Sequence, residues 1–77
     1  MTWNYRIIRH KGEVSEWLAI HEVFYDDEGN PDGCTENPIH IIGDDLEEIE
    51  KTLEYMQLAL NKPIIDYQYF EDLENNR

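Results

Sequence analysis

Residues 3–25 read WNYRIIRHKGEVSEWLAIHEVFY, and this stretch decides the fold. It contains two segments, 3–10 and 17–25, that are rich in aromatic and β-branched side chains. The six residues between them are polar and include Gly12. Two such segments joined by a short polar connection are typical of a β-hairpin.

The pairing of the two strands determines which side chains share a face of the sheet, because side chains alternate with a period of two. We expect the turn to centre on Glu13 and Val14. One face then carries Trp3, Tyr5, Ile7, Phe24, Ile20 and Leu18 and is apolar enough to receive a helix, although this register also places the charged Glu22 on the core side. The other face carries Arg6, Ile8, His10, His21, Ala19 and Trp17, with Val23 and Tyr25 beyond them. A shift of one residue would exchange the two sets of strand 2.

The residues after the hairpin predict a loop, a strand and a helix. Residues 26–33 are dense in turn formers and predict a loop. Residues 38–42 predict a third strand, and an Asp at 44 or 45 suits the N-cap of a helix that stops at 61–63. The helix presents one apolar stripe at spacings of three and four, formed by Leu46, Ile49, Leu53, Met56 and Leu60.

The sequence therefore predicts an α+β fold in which a three-stranded antiparallel sheet, in β-β-β-α order, packs on one α-helix. Residues 64–73 predict a fourth strand or an extended segment across the sheet, and residues 74–77 predict a disordered tail. A single domain would span 1–73. One helix covers only one face of the sheet, so we expect the second face to be covered by the C-terminal segment 64–77, by a second copy or by a partner.

The charge of the chain restricts its partners. The 77 residues carry a formal net charge of −12, and residues 24–77 hold fifteen of the eighteen carboxylates. Nucleic acids and anionic membranes attract basic proteins, so we expect direct binding to neither. Cys34 is the only cysteine and excludes a disulfide within the chain. With no signal segment or membrane span in the sequence, we expect a cytoplasmic protein.

No catalytic motif is present, so we expect no enzymatic activity, no cofactor and no metal site. Residues 26–36 resemble a calcium loop superficially, but Ile39 falls where the bidentate glutamate must stand. A histidine cluster of His10, His21 and His40 with Cys34 is a weaker zinc alternative, since the spacing matches no known ligand pattern.

Two groups of residues are candidate contacts for a protein partner. The first centres on Trp17 with Arg6, His10, His21 and Tyr25, a composition typical of interface hot spots. The alternative is that the C-terminal segment folds over Trp17 and makes it part of the core. The second group lies on the exposed helix face and comprises Glu47, Glu54 and Tyr55. Its carboxylates could imitate phosphates, but an ordinary solvated helix face with a Glu47–Lys51 pair is the favoured explanation.

Residues 17–26 read WLAIHEVFYD, and they are followed by a Gly-Asn-Pro turn and by Thr-Glu-Asn-Pro at 35–38. In these motifs the chain resembles a family of short uncharacterised bacterial proteins that also close with a helix ending at a proline. The resemblance covers about residues 3–65. It implies a folding unit and assigns no activity.

These observations leave three hypotheses for function. The first is a small acidic protein-binding module or regulator that acts through a protein partner. The second is an inhibitor from a phage or mobile element that mimics nucleic acid and blocks a nucleic-acid-handling defence protein. The third is a homodimer whose uncovered sheet faces pair.

Overall fold

The computed structural model describes residues 2–76, and it confirms the α+β class. In chain order the elements are β1 (Thr2–Lys11), β2 (Glu16–Tyr25), β3 (Pro31–Cys34), α1 (Leu46–Gln57), η1 (Leu58–Asn61), β4 (Ile65–Asp66) and α2 (Tyr67–Asn75), where η1 is a 3₁₀ helix. The sheet has four strands and not the predicted three. Their order is β3-β2-β1-β4, in which β4 runs parallel to β1 and the other pairs are antiparallel. Two α-helices, where the sequence predicted one, complete the fold together with η1.

The hairpin has the predicted register. Trp3 pairs with Phe24, Ile7 with Ile20 and His10 with Trp17, without a shift along β1 and β2. The Gly12 amide closes the turn by donating to the Ser15 carbonyl at 2.8 Å. The two predicted sets of side chains therefore lie on opposite faces of the sheet.

The predicted third strand at 38–42 is wrong, and the third strand lies earlier, in the stretch predicted as a loop. The Asp26 carboxylate accepts the amides of Glu28 and Asn30, both at 2.9 Å, and Gly29 has φ +84°. This compact turn uses only 26–30, so β3 begins at Pro31 and pairs with the end of β2. Proline is tolerated there because it starts an edge strand, where its missing N–H breaks no ladder.

Helix α1 forms where the sequence predicts a helix. The Asp45 side chain caps it by accepting the Glu48 amide at 2.9 Å, and Glu48 accepts the Asp44 amide in return. The predicted apolar stripe is not a core stripe, however. Met56 is buried, whereas Leu46 is 84% exposed. The contact with β1 runs mainly through η1, where Ala59 is buried, so the first turns of α1 have little sheet beneath them.

The C-terminal segment forms a helix, which the sequence prediction missed. Only Ile65 and Asp66 pair as a strand, beside Ile8 and Arg9. Helix α2 follows, and it extends to Asn75, so Glu74 and Asn75 belong to a helix and not to the predicted disordered tail. Arg77, the last residue of that predicted tail, lies outside the described residues.

Helix α2 covers the second face of the sheet. Phe70 packs with Ile8 and Val23 to form the most deeply buried cluster, and Tyr67 and Leu73 pack around it. Tyr67, Phe70 and Leu73 are three residues apart, so they lie on one side of the helix. The C-terminal segment thus covers much of this face, which was one of the alternatives that the sequence left open.

Within residues 2–76, no helix combines the length and the apolar character that a membrane span requires.

Candidate interaction surfaces

Trp17 lies at the end of the hairpin and forms an aromatic stack with two other rings. Its ring is 4.1 Å from that of His10, with the planes 13° apart, and His10 stacks on Tyr67 at 5.0 Å. His10 and Trp17 meet because they are paired residues of β1 and β2, and Tyr67 reaches them from the start of α2. Trp17 remains 47% exposed, so the C-terminal segment covers it only in part.

His10 and His21 face each other beneath this stack. Their Nε2 atoms are 2.9 Å apart, and His21 Nδ1 lies 3.0 Å from the Thr35 carbonyl oxygen. Since a carbonyl only accepts, His21 carries its proton on Nδ1 when neutral, and His10 then donates from Nε2. His21 has no exposed surface, so it contacts no partner in this conformation.

The surroundings of the two imidazoles disfavour their charged forms. Burial lowers the pKa of His10, and the neighbouring His21 lowers it further. Burial also lowers the pKa of His21, and this effect exceeds the opposing influence of its hydrogen bond to Thr35. Both histidines are thus held neutral at physiological pH.

Two other predicted contact residues, Arg6 and Tyr25, bond to each other. Arg6 donates to the Tyr25 hydroxyl at 2.9 Å and to the Pro63 carbonyl, and Tyr25 donates to Asn4 at 2.7 Å. The Arg6 Nε atom is buried with no hydrogen-bond partner among residues 2–76. The group spans β1, β2 and the segment before β4, and it fixes the chain between η1 and α2.

A cleft of about 390 Å³ lies beside Trp17, between the end of β1 and the start of α2. Its lining residues carry both signs of charge: Arg9, His10, Lys11, Trp17, Asp66, Tyr67, Gln68 and Glu71. Arg9 is engaged by Asp66 at 2.9 Å and by Glu16 at 3.6 Å. The balance of charge selects neither an anion nor a cation.

The described residues gather no set of three histidine, cysteine, aspartate or glutamate side chains suited to a metal ion. His40, the third histidine of the zinc alternative, is exposed. Cys34 is partly buried, and burial raises the pKa of its thiol. In the calcium-like loop, the Asp26 carboxylate is already used by the backbone amides of its own turn.

The opposite side of the molecule exposes most of its large apolar side chains, and we call this side the α1 face. It combines α1, η1, the segment leading into α1 and the sheet face that lies toward them. The exposed members are Trp3, Leu18, Ile41, Ile42, Leu46, Leu53, Tyr55, Leu58 and Leu60. Single exposed apolar residues are ordinary, but so many on one side of a small protein are typical of an interaction surface.

An aromatic cluster joins α1 to the sheet at the centre of the α1 face. The rings of Trp3, Tyr5 and Tyr55 meet edge to face, with centroids 5.2 to 5.5 Å apart. Burial raises the pKa of the Tyr5 hydroxyl, and the carboxylate of Glu22, its partner on β2, raises it further. Tyr55, a predicted contact residue, is 42% exposed and forms the outer part of this cluster.

Carboxylates border the α1 face. Glu47 forms an ion pair with Lys51 at 3.2 Å, as the sequence predicted for a solvated face. Glu50 and Glu54 are exposed on the same helix and have no ion pair among residues 2–76. Asp44 and Asp45 add charge at the helix start. Glu50 and Glu54 therefore bring negative charge to α1 that no ion pair among residues 2–76 compensates.

Comparison with known proteins gives no relatives for this arrangement. No protein-family model matches the chain. No curated protein and no solved structure is significantly similar to it. The resemblance to short bacterial proteins therefore stays a prediction, and function is inferred from the chain's own surfaces.

Sequence reasoning placed Trp17, His10 and His21 together correctly, because the hairpin register determines their proximity. It named Glu47, Glu54 and Tyr55 on α1 as contacts but assigned the exposed leucines of the α1 face to the core, since the 3-4 stripe on α1 is the usual sign of a core helix. The acidic residues on both sides of that stripe were the available signal, because they limit how closely the helix packs on a sheet.

Proposed function

We propose that this protein is a non-enzymatic binding module whose α1 face docks a protein partner that has an apolar patch bordered by basic residues. The observation that carries the proposal is the exposure of the predicted core stripe, where Leu46 is 84% and Leu60 68% exposed. Such side chains gain free energy when a partner removes them from water, at about 25 cal/mol per Å² of apolar surface.

The charge around this face supports a basic protein partner. The helix offers Glu50 and Glu54 without intramolecular cations among the described residues, and the whole chain has a net charge of −12. Complementary charges at an interface rim raise the association rate and exclude wrong partners. Nucleic acid and anionic lipid are disfavoured by the same charge, since both bear dense negative charge.

A second copy of the chain fits this face less well than a basic partner. Each copy brings the same carboxylates, so pairing two α1 faces places Glu50 and Glu54 of one copy near those of the other. Like charges brought together across an interface are destabilising. The homodimer hypothesis is therefore the weaker one.

The nucleic-acid-mimic hypothesis uses the same helix but predicts a different dominant force. In a mimic, Glu47 and Glu54 would supply most of the affinity, and the leucines would matter little. In the module proposed here, the leucines provide affinity, and the carboxylates act mainly on the association rate. The two hypotheses therefore differ in how binding responds to salt and to apolar substitutions.

A defined probe tests this distinction. The probe is an amphipathic helical peptide with leucines on one side and lysines on the other, and its control has glutamates in place of the lysines. We expect the basic peptide to bind and the acidic one not to bind, as measured by titration calorimetry. Replacing Leu46 and Leu60 with serine together should weaken binding by about tenfold or more, which is the loss expected for central apolar contacts.

Val14→Ser is the matched control, because Val14 is 98% exposed at the hairpin turn, away from the α1 face. It should leave the affinity unchanged. Equal affinity of the wild type and the leucine double variant would refute the proposal. Binding that vanishes at moderate salt and ignores the leucine substitutions would favour the mimic, and dimers in sedimentation that are disrupted by the same substitutions would favour the homodimer.

A further inference from the structure

The hydrogen bond between His10 and His21 limits how many protons the pair can hold. The two Nε2 atoms are 2.9 Å apart, which leaves room for one hydrogen between them. With both rings neutral, His10 donates to His21, whose Nδ1 proton is directed to Thr35. With one proton added, one ring donates and the other accepts, so the bond survives.

A second proton removes the acceptor. Both Nε2 atoms then carry hydrogens, and two positive rings face each other with nothing between them. His21 is fully buried on β2 and cannot turn toward water, so the strain is relieved by displacement of His10. His10 is held between the rings of Trp17 and Tyr67, and its movement therefore acts directly on Tyr67, the first residue of α2.

Helix α2 has few other attachments to the sheet. Phe70 is its one buried residue, and Leu73 packs beside the Phe70 cluster. Tyr69 donates to the Pro31 carbonyl at 2.8 Å, and β4 contributes a two-residue pairing before the helix. No side chain among residues 2–76 caps its N-terminus. A helix of nine residues is marginal by itself and depends on packing. It is therefore the element that separates first when Tyr67 is displaced.

We propose that His10 and His21 form a proton-operated latch, in which double protonation releases α2 from the sheet while the β1–β2 hairpin stays folded. This inference concerns the α2 side of the sheet and is independent of the function proposed for the α1 face.

Other charged groups lie near the pair. The hairpin contributes Arg9 and Lys11 from β1 and Glu16 from β2. Cys34 ends β3, and Glu36 follows it two residues later. The C-terminal segment contributes Asp66, Tyr67, Glu71 and Glu74. Arg9 is balanced by Asp66 and Glu16, while Glu36 and Glu71 lie near Tyr67. These carboxylates are not among the causes that shift the pKa of either histidine. They leave the Nε2–Nε2 conflict of the doubly protonated pair unchanged.

The direction of the pH dependence follows from linkage. Burial lowers the pKa of both histidines in the docked state, so the pKa of His10 should rise toward its ordinary value of 6.5 when α2 leaves and exposes the ring. The docked helix is therefore fully stabilised above about pH 6.5 and loses stability as the pH falls below it. Each extra proton bound by the released state lowers the docking constant by up to about tenfold per pH unit.

Amide hydrogen exchange, corrected for intrinsic rates, measures the release locally. Between about pH 7.5 and pH 5 we expect protection of α2 to fall by about tenfold or more, while the amides of β1 and β2 stay protected. His10→Gln keeps a donor for His21 without titrating, so it should lose this pH dependence. His40→Gln, which changes an exposed histidine outside the pair, should behave as the wild type does.

Three outcomes would overturn the latch: protection of α2 that does not change with pH, loss of protection in the hairpin together with α2, or an equal effect of His40→Gln. If His10→Gln does not fold, an NMR titration of the histidine ring protons of the wild-type protein still tests the latch. The latch requires His10 and His21 to titrate as a coupled pair in two separate steps. Independent titration of the two rings in a single step would refute it.

Discussion

Replacing Phe70 with alanine tests the most consequential departure of the structure from the sequence prediction, because it probes the docking of α2. Phe70 is 8% exposed and packs against Ile8 and Val23. Truncating a buried phenylalanine costs about 3 to 5 kcal/mol, and we expect about 3 because a terminal helix relaxes into part of the cavity. Such a loss corresponds to a fall in Tm of roughly 12 to 24 °C for a domain of this size.

Leu46→Ala is the matched comparison, since Leu46 heads the stripe that the sequence predicts as core. Only about a sixth of its surface is buried. Full burial of a leucine is worth about 1.5 to 3 kcal/mol, so its truncation should cost about 0.2 to 0.5 kcal/mol. The structure and the sequence pattern thus rank the two substitutions in opposite order.

Urea unfolding followed by far-ultraviolet circular dichroism measures both changes. We expect Phe70→Ala to shift the midpoint strongly and Leu46→Ala to leave it nearly unchanged. If Leu46→Ala were the more destabilising, α1 would pack on the sheet through its predicted stripe and the α1 face would be covered. A Phe70→Ala variant within about 1 kcal/mol of wild type would show that α2 contributes little to the folded state.

Gly29→Ala should destabilise by about 1 kcal/mol, because Gly29 has φ +84°. Gly33→Ala, whose added Cβ meets no atom of residues 2–76 within 4 Å, should be neutral or slightly stabilising, and thermal melts compare the two variants. Tyr25→Phe removes the hydroxyl that accepts from Arg6 and donates to Asn4. It should lower the free energy of unfolding in urea by about 1 to 2 kcal/mol, and an unchanged value would mean that water replaces both hydrogen bonds. Raising salt from low concentration to about 0.15 M should increase the thermal midpoint, because the carboxylates in residues 24–77 repel one another; a decrease would show that attractive ion pairs dominate.

The hairpin could be predicted from sequence because all of its determinants are local. The turn at Gly12, the β-branched and aromatic strands and the alternation of side chains agree with one register, and the structure has that register. The N-cap at Asp45 and the acidic first turn of α1 are also local signals, and the helix begins where they predict. Where short-range features agree, tertiary contacts have nothing to override.

The third strand and α2 could not be predicted from the same kind of signal. The β3 strand is four residues long and includes Pro31 and Gly33, which both disfavour strands; it forms because the end of β2 offers it a partner. In α2, the contact between Phe70 and the Ile8–Val23 pair selects a helix for a segment whose own pattern is ambiguous. Tertiary packing decides both cases.

For the Trp17 group, the sequence predicted which residues lie together but not how exposed each of them is. The register brings His10, His21 and Trp17 together, and the sequence places them there correctly. Their exposure is a different matter, because it depends on Tyr67 and Phe70, which arrive from the far end of the chain. Residues predicted as free contacts therefore divide into a half-exposed ring, Trp17, and a fully buried imidazole, His21.

The size of the chain explains why one side remains open. A sheet with large apolar side chains on both faces needs two covering layers, and a chain of 77 residues supplies α1 with η1 for one face and α2 for the other. Helix α2 seals its face with Phe70, whereas α1 and η1 meet the sheet through Tyr55, Met56 and Ala59 and leave their leucines exposed to water. An open apolar face promotes self-association unless repulsion opposes it. The carboxylates of α1 provide that repulsion at the edge of the face itself, so the charge that disfavours a second copy also prepares the surface for a basic partner.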